Sequence, residues 1–449
     1  MNIQWRSDIS STCNEMAMTM MHDIAGKPFL YIANKEAGLK IYDISIQSSP
    51  ALVATVPIAL LGQLHVMNLT QSGNYLYLAL GNTFTNPQKA GMAIVDISSP
   101  TSPSVMGIYV LNSSSTGAGI VKVEGNYAYL GAMQSGLIVL DISNKSSIQQ
   151  VSQFIPGINF PPVLNPNPQL YNARGMEVQN IIVYLCYDAG GVRIINCNNK
   201  MAPKETGRWC NPVMFTPLNR PKAYNNIIVD GSLAYVAVDY CGMELLNISD
   251  TAAISMNGWW NPYNCPNNNW FTSPVHSNEI SYNKTCKKIF LSTGKSDMMV
   301  VDVTNPAAPD SCNFYGGSAN NLGTWGLGLF QDQIYLSYIC AAIPFTSNWT
   351  GVKILNYSPC AGTEIPEEVP EKTCQVYLKP TRNLLHITLK QSATINETFI
   401  LRDLLGNLIL KTELYSKQTD LEISLSPGLY FYQLGNETQE ILSGKILVQ

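Results

Sequence analysis

Gly136-Leu-Ile-Val-Leu-Asp-Ile-Ser143 decides the fold, because the chain keeps returning to it. The same phrase (glycine, apolar, any residue, Ile-like, apolar, Asp or Asn, apolar, Ser-like) stands at Gly38-Leu-Lys-Ile-Tyr-Asp-Ile-Ser45 and Gly91-Met-Ala-Ile-Val-Asp-Ile-Ser98. It recurs as Gly191-Val-Arg-Ile-Ile-Asn-Cys-Asn198, Gly242-Met-Glu-Leu-Leu-Asn-Ile-Ser249 and Gly351-Val-Lys-Ile-Leu-Asn-Tyr-Ser358, and without its glycine as Asp297-Met-Met-Val-Val-Asp-Val-Thr304. Successive starts lie 53, 45, 55, 51, 55 and 54 residues apart. A strand-rich unit repeated every ~40–50 residues is the signature of a β-propeller with one blade per repeat. A second strand with one aromatic (Tyr31, Tyr77, Tyr129, Tyr184, Tyr235, Phe290, Tyr335) precedes each phrase by 7 to 16 residues, the spacing of a hairpin with a variable turn. Another strand comes before it, as in Gly119-Ile-Val-Lys-Val123, and a fourth follows the phrase, as in Ala202-Pro-Lys-Glu-Thr-Gly-Arg-Trp209. These are strands A to D of a blade. The seventh copy lacks its fourth strand, and Ile3-Gln4-Trp5 is expected to supply it, pairing an edge that would otherwise be open.

Composition narrows the function classes. Hydrophobic residues make up 46% of the 449 and charged ones 13%, the opposite of a disordered chain. Lys+Arg 27 against Asp+Glu 31 leaves no basic footprint for nucleic acid. No apolar run approaches the ~18–20 residues of a membrane span. The opening Met1-Asn2-Ile3-Gln4-Trp5-Arg6-Ser7-Asp8 has neither the basic nor the apolar region of a signal peptide, so the chain is expected either to be cytosolic or to have lost one. Ten of the 11 cysteines follow residue 185. Disulfides local to the second half and buried free thiols both fit that distribution. At least one cysteine must lack an intramolecular partner. Without C-x-x-C or H-E-x-x-H, no zinc ribbon or zincin is supported.

The seven registers resemble the LVIVD-repeat family over about residues 3–358. The resemblance implies a β-propeller on a secreted or surface protein and implies no chemistry. Residues 360–375, rich in Pro and Glu between Cys360 and Cys374, read as a linker after a propeller of residues 1–359, and the two cysteines could clamp it. Residues 376–449 are short alternating strands that suggest a small Ig-like β-sandwich. The punctuation Arg402-Asp-Leu-Leu-Gly-Asn407, Leu425-Ser-Pro-Gly-Leu-Tyr430 and the terminal Lys445-Ile-Leu-Val-Gln449 resembles the type A C-terminal sorting domain of the type IX (Por) secretion system of Bacteroidetes. The family's opening Pro-Asn-Pro is replaced by Lys379-Pro380-Thr381. That resemblance implies handling by the type IX machinery through Asp403, Gly406, Gly428, Tyr430 and Lys445. It also implies export after signal-peptide removal, and cleavage of the tail with release or surface attachment of the propeller. An ordinary Ig-like module is the alternative.

Candidate chemistry is sparse, and no cofactor or metal is expected. Thr293-Gly-Lys-Ser296 lacks the earlier glycine of a phosphate loop, since residue 289 is Ile. The repeated Asp43, Asp96, Asp141 and Asp302, with Asn196, Asn247 and Asn356, sit at equivalent positions around a ring and cannot converge on one ion. Asx side chains there are expected to accept from backbone donors in the following turn. His65 and His276 stand near the start of inner strands, as do Arg174, Glu177 and Glu279, so all five are candidates for the central channel. Acid–base work would need them within reach of one substrate. The long D-to-A segments around residues 155–171, 210–224 and 261–275 hold Phe160, Tyr171, Phe215, Tyr224, Tyr263, Trp270 and Phe271 among Asn and Pro. Together with Trp325 of the seventh copy, these aromatics suit a glycan or a surface or outer-membrane protein partner, or else pack to hold their own loops down. The expectation is a secreted or cell-surface, non-catalytic binding protein, with a polysaccharide lyase or hydrolase at the channel mouth as the alternative.

Overall fold

The computed structural model describes residues 2–82, 87–113, 116–215, 223–265, 273–317, 321–341, 346–358, 374–379, 384–389, 397–403, 406–416, 418–426, 428–436 and 439–448. The chain divides into two units, Met1–Ala361 and Gly362–Gln449.

The first unit is a seven-bladed β-propeller built from seven four-stranded antiparallel sheets. The innermost strands are Thr19–His22, Val66–Ser72, Ile120–Glu124, Gly175–Gln179, Tyr224–Asp230, Ile280–Asn283 and Thr324–Phe330, and each touches the inner strands of both neighbouring blades. The repeated phrase is strand C of every blade. Outside its third position, where Lys40, Arg193, Glu244 and Lys353 stand, it reads as an apolar run because both faces of a blade's sheet are covered. Each pair of neighbouring blades shares an apolar layer, and between blades 7 and 1 that layer contains Ile9, Met20, Leu30, Ile32, Tyr335, Val352 and Ile354. The strand-B aromatics are all buried within these layers.

The recurring parts of the phrase have local causes. Gly38, Gly136, Gly191 and Gly242 adopt φ of 72 to 96°. A Cβ there would lie 2.1–2.4 Å from a strand-D carbonyl oxygen. At the other end, the side-chain oxygens of Asp43, Asp96, Asp141, Asn196, Asn247 and Asp302 accept from the backbone N–H two residues on, at 2.8–3.0 Å. The Asx residues therefore hold the turn into strand D.

Closure uses the opposite end of the chain. Ile3–Ser11 pairs antiparallel with Thr350–Tyr357, from Ile3 opposite Tyr357 to Ser11 opposite Thr350. A Cβ on Gly351 would meet the Ile9 carbonyl oxygen at 2.3 Å, the contact that a blade's own strand D makes elsewhere. Cys13 and Cys340, 327 positions apart, form a disulfide beside this seam. Cys241 and Cys265 form another, and Cys186, Cys197, Cys210 and Cys312 are free thiols. A clamp between Cys360 and Cys374 lies outside the described residues.

The second unit has a three-stranded sheet in the order Cys374–Lys379, Leu384–Leu389, Gln418–Glu422. A four-stranded sheet follows the order Leu408–Leu414, Glu397–Arg402, Gly428–Asn436, Gln439–Val448. They share one core, with Leu385 and Ile387 from the first against Phe399, Leu401, Leu414, Tyr430, Leu434 and Ile446 from the second.

Candidate functional site

One face of the propeller carries both the D-to-A segments and the B–C turns. Single β-bridges join B–C turn residues to the start of the next blade's inner strand: Lys35 to Val66, Met133 to Ala173, Asp188 to Tyr224 and Gly294 to Thr324. The long segments on this face are tethered. Arg193, 1% exposed, donates from Nε to Gly190 O at 2.8 Å and from Nη2 to the carbonyls of Gly157 and Phe160, each at 2.9 Å. Its Nη1 pairs with Glu205 at 3.1 Å. Phe160 lies between the guanidiniums of Arg193 and Arg208, 5.1 Å from each, and is half-buried. Tyr171 is buried against Tyr187 with ring centroids 6.0 Å apart.

The next segment is held by Glu244, which is fully buried and accepts from Trp209 Nε1 at 2.8 Å and from the Tyr224 hydroxyl at 3.2 Å. Tyr224, itself buried, accepts from Asn211 N at 2.9 Å. Burial raises Glu244 to about 7 despite these donors. The third segment is tied to its B–C turn by the Cys241–Cys265 disulfide. Phe160, Tyr171 and Tyr224 thus hold the loops in place. Tyr263 is 37% exposed, while Trp270, Phe271 and the Phe215 side chain lie outside the described residues. Among the described residues the face also presents aliphatic side chains to solvent: Ile155, Leu164 (90% exposed) and Leu170 on the first segment, and Val213 on the second.

Arg193 and Glu244 escape a motif search, yet the sequence carries their signal. Both occupy the third slot of the phrase, filled by Lys40, Ala93, Ile138, Met299 and Lys353 in the other blades. A charge within an otherwise buried apolar run requires a partner.

The channel is the second place where polar groups converge. At the loop-rich end a cavity of about 220 Å³ is lined by Arg174, Glu279 and Trp325, joined by Asp188, Asn172, Asn225 and Asn278. The Arg174 guanidinium lies 5.5 Å from the Trp325 ring. Asn172 Nδ2 donates to Asp188 Oδ2 at 2.9 Å and Asn226 Nδ2 to Glu279 Oε2 at 2.6 Å. Burial outweighs those donors and the nearby cations, raising Asp188 to about 6 and Glu279 to about 7. Glu177 lines a wider cavity of about 610 Å³ farther along the inner strands and pairs with Lys122 at 3.1 Å. Neither histidine lines these cavities. His276 Nε2 sits 2.7 Å from Asp239 Oδ1, and the His65 ring, whose nearest charges are Glu36 and Lys35, has its pKa lowered by burial. Among the described residues no group of three or more His, Cys, Asp or Glu could hold a metal ion.

In the second unit, Asp403 organises a tight turn. Its carboxylate accepts from Asn407 N and Nδ2, each at 2.8 Å, and Gly406 N donates to Asp403 O at 3.0 Å with Gly406 at φ 84°. Gly428 opens the next strand, where Tyr430 is buried and donates its hydroxyl to Ser426 O at 3.0 Å. The Lys445 side chain lies outside the described residues.

This architecture defines a propeller repeat protein with a sorting tail. Residues 24–57, 65–110 and 117–154 match the LVIVD repeat, and residues 375–449 match the secretion system C-terminal sorting domain. The chain therefore carries LVIVD repeats and a type IX sorting domain, which marks it for handling by the secretion machinery of Bacteroidetes. No curated protein matches it. Among solved structures it resembles Saccharomyces cerevisiae Sqt1 (TM-score 0.50, 9% identity, covering 76% of this chain and 84% of that one). It also resembles the Myceliophteria thermophila Cps50 (Swd1) β-propeller domain (TM-score 0.53, 8% identity, 80% and 100%) and a chain of the mitotic checkpoint complex (TM-score 0.51, 10% identity, 80% and 94%). At such identities the likeness is one of fold. Among the described residues no helix is long and apolar enough to cross a membrane.

Proposed function

We propose that this is a secreted or cell-surface, non-catalytic interaction protein that docks a surface or outer-membrane protein on the loop-rich face of its propeller. The carrying observation is the segment of residues 155–171, which Arg193 fixes from beneath while Ile155, Leu164 and Leu170 stay exposed. Exposed aliphatic side chains on a rigid backbone lose little entropy when covered, and such patches mark interaction sites. The test is affinity capture from native outer-membrane extract with the full chain as bait. A stoichiometric partner that is lost with Leu164→Asp plus Leu170→Asp supports the reading. Capture unaffected by those changes, or nothing above background, overturns it.

A second reading, cleavage of a polysaccharide at the channel mouth, draws on Asp188 and Glu279, two carboxyl groups near neutrality in one cavity. Release of reducing ends from a panel of neutral and acidic polysaccharides, lost in Glu279→Gln, would establish it.

A further inference from the structure

The cavity at the loop-rich end of the channel holds groups left unused by the fold. Among the described residues the Arg174 guanidinium makes no hydrogen bond or ion pair; it lies over the Trp325 ring, and its charge acts on Asp188 and Glu279 without touching either. Asn225, 5% exposed, donates from Nδ2 to Ser277 O at 2.7 Å, while its buried Oδ1 has no partner among the described residues. A buried acceptor left unmet is costly, and a free guanidinium fork is the side chain best shaped for a carboxylate. Arg174 and Trp325 are both partly exposed, so the site can be reached from outside.

We propose that this cavity binds one carboxylated sugar ring, a hexuronate, with its carboxylate on Arg174 and its hydroxyls on the Asp188 and Glu279 carboxyls. Three observations choose this class. First, the volume of about 220 Å³ is below the roughly 300–1,000 Å³ of sites for drug-sized molecules, so it admits a single ring. Second, Arg174 is the one cation among the residues lining the cavity, and burial keeps Asp188 and Glu279 partly protonated beside it, which leaves room for a single negative charge and disfavours a phosphate dianion. Third, the Asp188 and Glu279 carboxyls and the Asn68 amide line the same cavity and can meet the hydroxyls of a ring, while Trp325 holds the Arg174 guanidinium over its own ring. The site is independent of what docks on the loop-rich face.

The test is titration calorimetry of the full chain with glucuronate, galacturonate and mannuronate, each beside its neutral parent hexose. At least one uronate should bind saturably, and its neutral parent should bind about ten- to a hundredfold more weakly, the range for hydrogen bonds to a charged group. Arg174→Met should lose the same factor and Arg174→Lys part of it. Unchanged thermal melting would separate lost recognition from lost folding, since Arg174 supports no other residue by hydrogen bonding. Binding that is indifferent to Arg174→Met, equal for acid and neutral sugars, absent for all three uronates, or replaced by inorganic phosphate or a free amino acid overturns the assignment.

Discussion

Removing the Cys13–Cys340 disulfide tests the closure of the ring, because this bond joins the segment after the closing strand to the last blade. Its 327-position separation gives a chain-entropy contribution of roughly 6 kcal/mol, against roughly 3.5 kcal/mol for Cys241–Cys265 at a separation of 24. Losing a native disulfide usually costs ~2–5 kcal/mol, so ~4 kcal/mol is the working figure for the first bond. With ~2.1 cal/mol/K of unfolding entropy per residue, a propeller of this size has ~0.75 kcal/mol/K at its midpoint, and the expected fall in Tm is ~5 °C. The Cys13→Ser plus Cys340→Ser chain would be melted by calorimetry beside Cys241→Ser plus Cys265→Ser. The seam variant should show the larger fall. It should also lose its first ~17 residues sooner to limited proteolysis, since partial fraying of Ile3–Ser11 then no longer leaves the strand covalently held. Alkylation of Cys13 and Cys340 in unreduced, denatured protein would refute the bond itself. A fall under ~1 °C, or a larger effect at Cys241–Cys265, would refute the account of its stabilisation.

Other consequences follow from the tethers. Arg193→Met leaves the carbonyls of Gly157, Phe160 and Gly190 without their donor, at a cost of ~3–5 kcal/mol, and chymotrypsin should then cut near Phe160 or Leu164; intact protein over the same digest would count against the tether. Glu244 sits at about 7 in the folded chain against an ordinary value of 4.5, so the folded state keeps a proton that the unfolded chain releases between those values. Its stabilising effect is full below ~4.5 and is lost as pH rises through ~7, by an order of ~3 kcal/mol, and urea melts at pH 5 and pH 8 should show this slope reduced in Glu244→Gln. Asp403→Ala removes both acceptors of Asn407 and costs the tail ~1 kcal/mol or more. Cell fractionation should then find more of the chain retained in the periplasm, and normal export would separate this turn from the sorting signal.

The blade count was legible because burial on both faces of each sheet forces a similar apolar run and an Asx residue into every strand C, with the glycine in six of the seven. The missing strand at one end of the pattern and the spare strand at the other showed how the ring closes. Loop aromatics were harder to read, since side-chain type does not report which way a ring faces. Arg193 and Glu244, standing in the variable third slot of two blades, tie down the Phe160 carbonyl and the Tyr224 hydroxyl, while Tyr171 is buried against Tyr187. In the channel, strand register proposed His65, Arg174, Glu177, His276 and Glu279 together, whereas the cavity is lined by Arg174 and Glu279 with Trp325, an aromatic expected on the loop-rich face. Asp188 and Asn172 were invisible to the register, because they reach the cavity from a turn and a segment whose positions the neighbouring blades set.

Symmetry gives the channel its interest. Seven equivalent strand heads surround one axis, and identical residues there would make a ring suited to a symmetric guest. Met18, Asn68, Gly119, Arg174, Asn225, Glu279 and Trp325 line the cavity instead, so the cation, the carboxyl group and the aromatic face each come from a different blade. Gly119 has a packing cause, since a Cβ there would lie 3.1 Å from the Arg174 carbonyl oxygen, but the same crowding does not account for a cation at 174. An uncommitted Arg174 and an unmet Asn225 Oδ1 have a cost to stability. That cost, borne at positions where seven blades differ, is the ground for proposing a guest with one charged end and hydroxyls along its edge.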